Sequence, residues 1–137
     1  MSDHFTLRFR TGTTTRLRWR ARQAGTPPRT LAQRYVEEGL RHDDHPLIHF
    51  VEGPSGRRAA VLGTGLDVWE VVATVRDNDS DLVASGEYLG VPVGLVEAAA
   101  AYYGEYRAEI DEEVALNEAE YERGYAAWQA GRRALGA

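Results

Sequence analysis

Hydrophobic and polar positions alternate at the start of the chain. Residues 4–10 read His-Phe-Thr-Leu-Arg-Phe-Arg, so Phe5, Leu7 and Phe9 share one side of an extended segment while Thr6, Arg8 and Arg10 share the other. A period of two predicts a strand with one dry and one polar face. Thr11-Gly12-Thr13 reads as a turn, after which the period becomes helical. Leu17, Ala21 and Ala24 predict a helix over 13–24, stopped by Gly25. Pro28 suits the first position of a second helix, and Pro27 before it is biased away from helical geometry. That helix is expected to run to about Arg41, with Leu31, Tyr35, Val36 and Leu40 on its apolar side.

His42-Asp43-Asp44-His45-Pro46 is a polar break and the expected domain boundary. Beyond it, 47–52 and 58–62 read as two short strands joined by the turn Gly53-Pro54-Ser55-Gly56. Asp67-Val68-Trp69-Glu70 has capping-box spacing for a helix to about Val75. A short helix follows, starting at Asp79 or Ser80 and ending near Leu89. Gly90-Val91-Pro92 turns into another helix with the stripe Leu95, Ala98, Ala99, Tyr102 and Tyr106. The last stretch, about 105–135, is strongly helical in composition. Ile110, Val114, Tyr121, Tyr125, Trp128 and Leu135 lie along one side, and Gly104 and Gly124 are the positions expected to kink it. The fold class expected is mainly α with minor β: a ribbon-helix-helix unit over 1–42, a β-hairpin and helical bundle over 47–112, and a C-terminal helix for partner binding over 113–137.

Charge changes the picture more than overall composition does. Residues 1–41 hold nine Arg and three acids, net +6, whereas residues 42–137 hold seven Arg and eighteen acids, net −11. A basic head on an acidic body points to a nucleic-acid end and a different task at the other end. The chain has no cysteine, which excludes disulfides and zinc-thiolate sites. No run approaches the roughly 18 apolar residues of a membrane span, and residues 1–10 lack an apolar signal core, so a cytoplasmic protein without membrane association is expected.

A lone seven-residue strand leaves every ladder hydrogen bond unmade. Pairing with the same strand of a second copy, antiparallel about a two-fold axis, makes a two-stranded ribbon. Phe5, Leu7 and Phe9 then face the helices of the dimer at about 1.5–3 kcal/mol each, while Thr6, Arg8 and Arg10 face outward. Such a ribbon fits the DNA major groove, where Arg reads guanine O6 and N7 and Thr contacts bases or thymine methyls. The alternative is an ordinary strand in a larger sheet with solvated arginines.

Residues 4–41 resemble the ribbon-helix-helix family of the CopG-like sort, on the strand Phe5-Thr6-Leu7-Arg8-Phe9, the helix ending Ala24-Gly25, and Leu31-Ala32, Val36-Glu37 and Leu40-Arg41 in the second helix. The resemblance implies a homodimer, base contacts from the strand, and phosphate contacts from the start of the second helix. Pro27-Pro28 removes two N–H donors there, so Arg29 and Thr30 carry more of that grip, joined by Arg16 on the first helix.

Residues 47–112 resemble a bacterial domain of unknown function, family 433, on Gly63-Thr64, Leu66-Asp67-Val68-Trp69, Leu89-Gly90-Val91-Pro92, and Val96-Glu97-Ala98-Ala99 leading to Tyr102-Tyr103. That family places Arg after Gly-Thr, where this chain has Gly65. Its members accompany toxins of the PIN-like nuclease fold, and a CopG-like head on such a domain looks like a VapB-type antitoxin. The resemblance implies an autoregulator that binds operator DNA and neutralises a PIN-like toxin. Tyr121, Tyr125 and Trp128 at i, i+4, i+7 form an aromatic stripe suited to a partner's groove, and Arg132 and Arg133 could answer a nuclease's carboxylates. The alternatives are a stand-alone repressor with an acidic dimerisation or sensing domain, and an adapter that binds no DNA.

Enzyme chemistry finds little footing. Asp77-Asn78-Asp79-Ser80-Asp81 begins like a calcium loop, but Leu82 stands where Gly is required and no Glu follows at the twelfth position. His42-Asp43-Asp44-His45 has ligand types that could hold a metal, but it reads as an interdomain linker. Residues 53–56 lack nucleophile-elbow spacing and no phosphate-binding Gly loop is present. No catalytic residue, metal or cofactor is expected.

Overall fold

A computed structural model describes residues 3–54 and 56–137. The chain is mainly helical with one small antiparallel sheet, as expected, and divides into two compact units, one ending at Asp44 and one beginning at His45.

The first unit is a helix pair, α1 (Thr13–Ala24) and α2 (Pro28–Asp44). Gly12 holds the N-cap with φ 92°, and the Thr13 N–H donates to the Arg10 carbonyl at 3.1 Å. At the other end Gly25 takes φ 62°, and the Thr26 N–H reaches back to the Ala21 carbonyl at 3.0 Å. A side chain would be strained at this left-handed stop. Pro28 is the first helical residue, as read from the sequence, but α2 runs three residues past Arg41 into the polar break. Residues 3–10 form neither helix nor strand in the single chain.

The second unit starts from the hairpin of β1 (Ile48–Gly53) and β2 (Gly56–Val61), paired from Ile48 opposite Val61 to Gly53 opposite Gly56. The strands end one residue past, and begin two residues before, their expected limits, because the pairing closes on a two-residue loop. Ser55 of the expected turn lies outside the described residues. Gly63 (φ 75°) and Gly65 (φ 72°) flank Thr64, whose hydroxyl donates to the Val61 carbonyl at 2.9 Å and accepts from the Leu66 N–H at 3.0 Å. A left-handed φ at position 65 favours glycine over any residue with a side chain.

Four helices complete this unit: α3 (Val68–Asp77), α4 (Leu82–Leu89), α5 (Val93–Glu105) and α6 (Arg107–Ala134). The capping box at Asp67 forms, with the Asp67 N–H donating to Glu70 Oε1 at 3.1 Å. The short helix starts later than expected. Asp79 (φ 54°) and Ser80 (φ 63°) are left-handed and terminate α3, and Asp81 is the cap, accepting from the Ala84 N–H at 3.0 Å. The break before the last helix falls at Tyr106, not at Gly104 or Gly124, and α6 passes through Gly124 without interruption.

The core gathers Ile48, Val61, Val68, Val71, Val96, Tyr102 and Ile110. Tyr102 is fully buried, with its hydroxyl donating to Glu109 Oε2 at 2.9 Å and its ring 5.3 Å edge-on from His45. His45 of the expected linker is therefore a packed residue of the second unit, 3.1 Å from Glu105. Among the described residues no single helix is long and apolar enough to cross a membrane; α4 and α5 pass that test only together, bent by 116°.

Two positions set testable energetics. A Cβ on Gly86 would lie 2.9 Å from the Val91 carbonyl oxygen and 3.5 Å from Val96 Cγ2. Backbone cannot yield cheaply, so Gly86→Ala is expected to cost about 1–3 kcal/mol in urea unfolding. Glu113 is half-buried and its Oε2 has no hydrogen-bond partner among the described residues. Burial first, then the charges of Glu109 and Asp67, push its carboxyl up to about 7. The folded state then holds more protons than the unfolded chain between the ordinary carboxyl range and pH 7, so stability falls as pH rises through that window. Glu113→Gln should remove that fall, gaining about 1–2 kcal/mol at pH 8 after allowance for solvent screening, and little at pH 4. Chemical denaturation at the two pH values checks it.

Candidate nucleic-acid interface

The first unit buries little. Among its described residues only Ala21 and Leu31, at the crossing of α1 and α2, are buried. Phe5 is 83% exposed, Leu7 52% and Phe9 42%; Trp19, Tyr35, Val36 and Leu40 are exposed as well. Helices α1 and α2 thus enclose a core of two residues and present four large apolar side chains to solvent, to which the N-terminal segment adds three. A unit of this size with so small a core lacks the burial that ordinarily holds a fold, and a contiguous apolar surface marks an interface.

The exposed apolar groups are organised. Leu7 and Phe9 line an open groove with Leu17, Ala32, Tyr35 and Val36. Thr6, Arg8 and Arg10 do not line it and are exposed. Two of the three apolar residues of the alternation, Leu7 and Phe9, thus face the helices, whereas Phe5 lies outside the groove. Thr13, Arg16 and Arg20 border the groove. Arg16, expected at phosphate, therefore sits beside the apolar surface, while Arg29 and Thr30 are a separate exposed pair in the first turn of α2. Beyond the two prolines, the Leu31 N–H is already used by the Pro27 carbonyl at 3.1 Å.

Arginine density on α1 is partly accounted for by local packing. Arg20 lies 5.1 Å from the centroid of the exposed Trp19 ring, and on α2 Arg34 lies 5.7 Å from Tyr35 and 3.8 Å from Glu38. Arg8, Arg10, Arg16, Arg18, Arg22 and Arg29 are exposed.

In the second unit the expected partner-binding residues lie together on α6. Tyr121 and Tyr125 stack at 6.4 Å with planes 7° apart, Tyr125 and Trp128 lie 5.7 Å apart, and Arg132 sits 5.1 Å from the Trp128 centroid. All four are exposed, as is Arg133. The stripe therefore packs largely on itself, with Tyr121 at the edge of its own domain.

Sequence reading missed two polar clusters in this unit. Asp67 meets Arg58 at 2.7 Å and accepts from Trp69 Nε1 at 3.0 Å, beside the capping box. Asp111 accepts from Tyr103 at 2.7 Å and pairs with Arg76, and both partners hold its carboxyl below the usual range, the tyrosine hydrogen bond most strongly. Each joins residues distant in sequence, which no local pattern signals. Among the described residues no group of three or more His, Asp or Glu is placed to hold a metal ion. Comparison of the chain with protein-family models, with curated proteins and with solved structures finds no match to any of them.

Proposed function

We propose that this protein is a DNA-binding transcriptional repressor that works as a homodimer, with the N-terminal segments of two copies forming a two-stranded ribbon in the major groove. The observation that carries the reading is the exposed apolar surface of the first unit: Phe5, Leu7 and Phe9 are 83%, 52% and 42% exposed within their own chain. A second copy supplies what is missing, giving each segment a ladder partner and each groove a lid. The same pairing leaves Thr6, Arg8 and Arg10 side by side on the outer face, where Arg reads guanine and Thr reads thymine or adenine. The net charge of +6 over residues 1–41 supplies long-range attraction to phosphate, with Arg29 and Thr30 at the start of α2 as the positioning contacts.

A second reading adds neutralisation of a PIN-like nuclease, encoded beside the repressor, through Tyr121, Tyr125, Trp128, Arg132 and Arg133. It is favoured by the exposure of that stripe. Autoregulation and toxin neutralisation are separable. Arg132→Glu with Arg133→Glu should leave operator binding intact and abolish inhibition of a neighbouring nuclease; unchanged inhibition discards the toxin role for these residues.

Arg8→Ala should weaken operator binding by about 1–3 kcal/mol and relax specificity at one base pair, whereas Arg29→Ala should weaken operator and random duplex alike and reduce the salt slope by about one. Mobility-shift titrations at several salt concentrations distinguish them. Equal affinity of the wild type for operator and random duplex ends the base-readout reading.

A further inference from the structure

We infer that the exposed part of α6 pairs antiparallel with the same segment of a second copy of this chain. This goes beyond the DNA-binding reading and does not depend on it, since it concerns only the second unit.

Spacing along α6 is the first observation. Val114, Glu118, Tyr121, Tyr125, Trp128, Arg132 and Leu135 follow one another at intervals of 4, 3, 4, 3, 4 and 3 residues. That is the spacing of a coiled-coil seam. Its first member, Val114, is buried in the core of its own unit, whereas Tyr121 is 74% exposed, Trp128 55% and Leu135 86%. The line of residues that packs the helix onto its unit thus continues into solvent. Where it leaves the body, an open groove is lined by Trp69, Ala73, Val114, Asn117, Glu118 and Tyr121.

Charge selects the occupant and its direction. From Arg107 to Glu122 the helix carries seven acids and one Arg, net −6; from Arg123 to Ala134 it carries three Arg and no acid, net +3. The two charged seam positions have opposite sign, Glu118 near one end and Arg132 near the other. They are 14 residues apart, about 21 Å along one helix, so they cannot meet within a chain. Parallel copies would set Glu118 beside Glu118 and Arg132 beside Arg132. Antiparallel copies set each Glu118 near the partner's Arg132 and centre Tyr121, Tyr125 and Trp128 on each other. The partner's basic end, with Trp128 and Leu135, then fills the groove beside Trp69, whose rim carries Glu118, Glu120 and Glu122.

The test uses the full chain with the N-terminal apolar side removed (Phe5→Glu, Leu7→Glu, Phe9→Glu), so that any remaining association is that of the second unit. Sedimentation at micromolar concentration should still find a dimer. Adding Glu118→Arg or Arg132→Glu should raise its Kd about tenfold or more, and combining both swaps should restore it. A monomeric parent with native circular dichroism overturns the proposal, as does a double swap that fails to recover. A second measurement leaves the N-terminus intact. The chain has no cysteine, so Glu118→Cys with Arg132→Cys should oxidise to disulfide-linked dimers joining position 118 of one copy to 132 of the other. Linkage of 118 to 118, or none, overturns the arrangement; if α6 then retains a nuclease from the same operon, the stripe belongs to that partner. Loss of operator binding in the N-terminal variant, with the dimer kept, separates this interface from the ribbon.

Discussion

The first unit has more apolar surface than two helices can cover, and its organisation follows from that. Ala21 and Leu31 close the crossing of α1 and α2, but Leu7, Phe9, Tyr35 and Val36 remain around an open groove. An extended segment without ladder partners adds unmade backbone hydrogen bonds to the same deficit. In the proposed dimer one event would meet both shortfalls, pairing with a like segment across a two-fold axis. Covering the apolar side is also what orients the polar side, because successive residues of a strand point to opposite faces. In this reading, dimer stability and DNA recognition are two sides of the same seven residues.

The second unit obeys a different economy. It has a core of its own around Tyr102, to which the hairpin and helices α3, α5 and α6 all contribute. It also carries a half-buried carboxyl, Glu113, beside Glu109 and Asp67, an arrangement that disfavours the ionised state. The charge of Arg58, which is paired with Asp67, opposes the shift and offsets only part of that cost. The first unit has no comparable core: among its described residues only Ala21 and Leu31 are buried.

Helix α6 links the core of the second unit to its surface. One line of side chains serves two purposes along its length: Ile110 and Val114 hold the helix to its own core, and Tyr121, Tyr125 and Trp128 continue the line where no core remains. The sign of charge reverses over the same length, so the helix is complementary to its own reverse. A repressor assembled through both a ribbon and a helix pair would grip more than one half-site, coupling occupancy of neighbouring sites.

Much of the architecture was legible in the residues. Helix α1, the Gly25 stop, the proline start of α2, the hairpin and the capping box at Asp67 all rest on local rules, in which a period, a cap or a fixed φ acts within a few residues. Local rules also placed the aromatic stripe of α6, whereas the strand read over residues 4–10 is neither helix nor strand in the single chain. What they could not place depends on which groups meet across the fold. Val96 is buried deeper than the Ala98 expected on its stripe, His45 is core where a linker was read, and the last helix breaks at Tyr106 although two glycines were better local candidates. The pairs Arg58 with Asp67 and Arg76 with Asp111 span 9 and 35 residues. Contacts over such separations are set by the packing of whole elements, which periodicity along one segment does not encode.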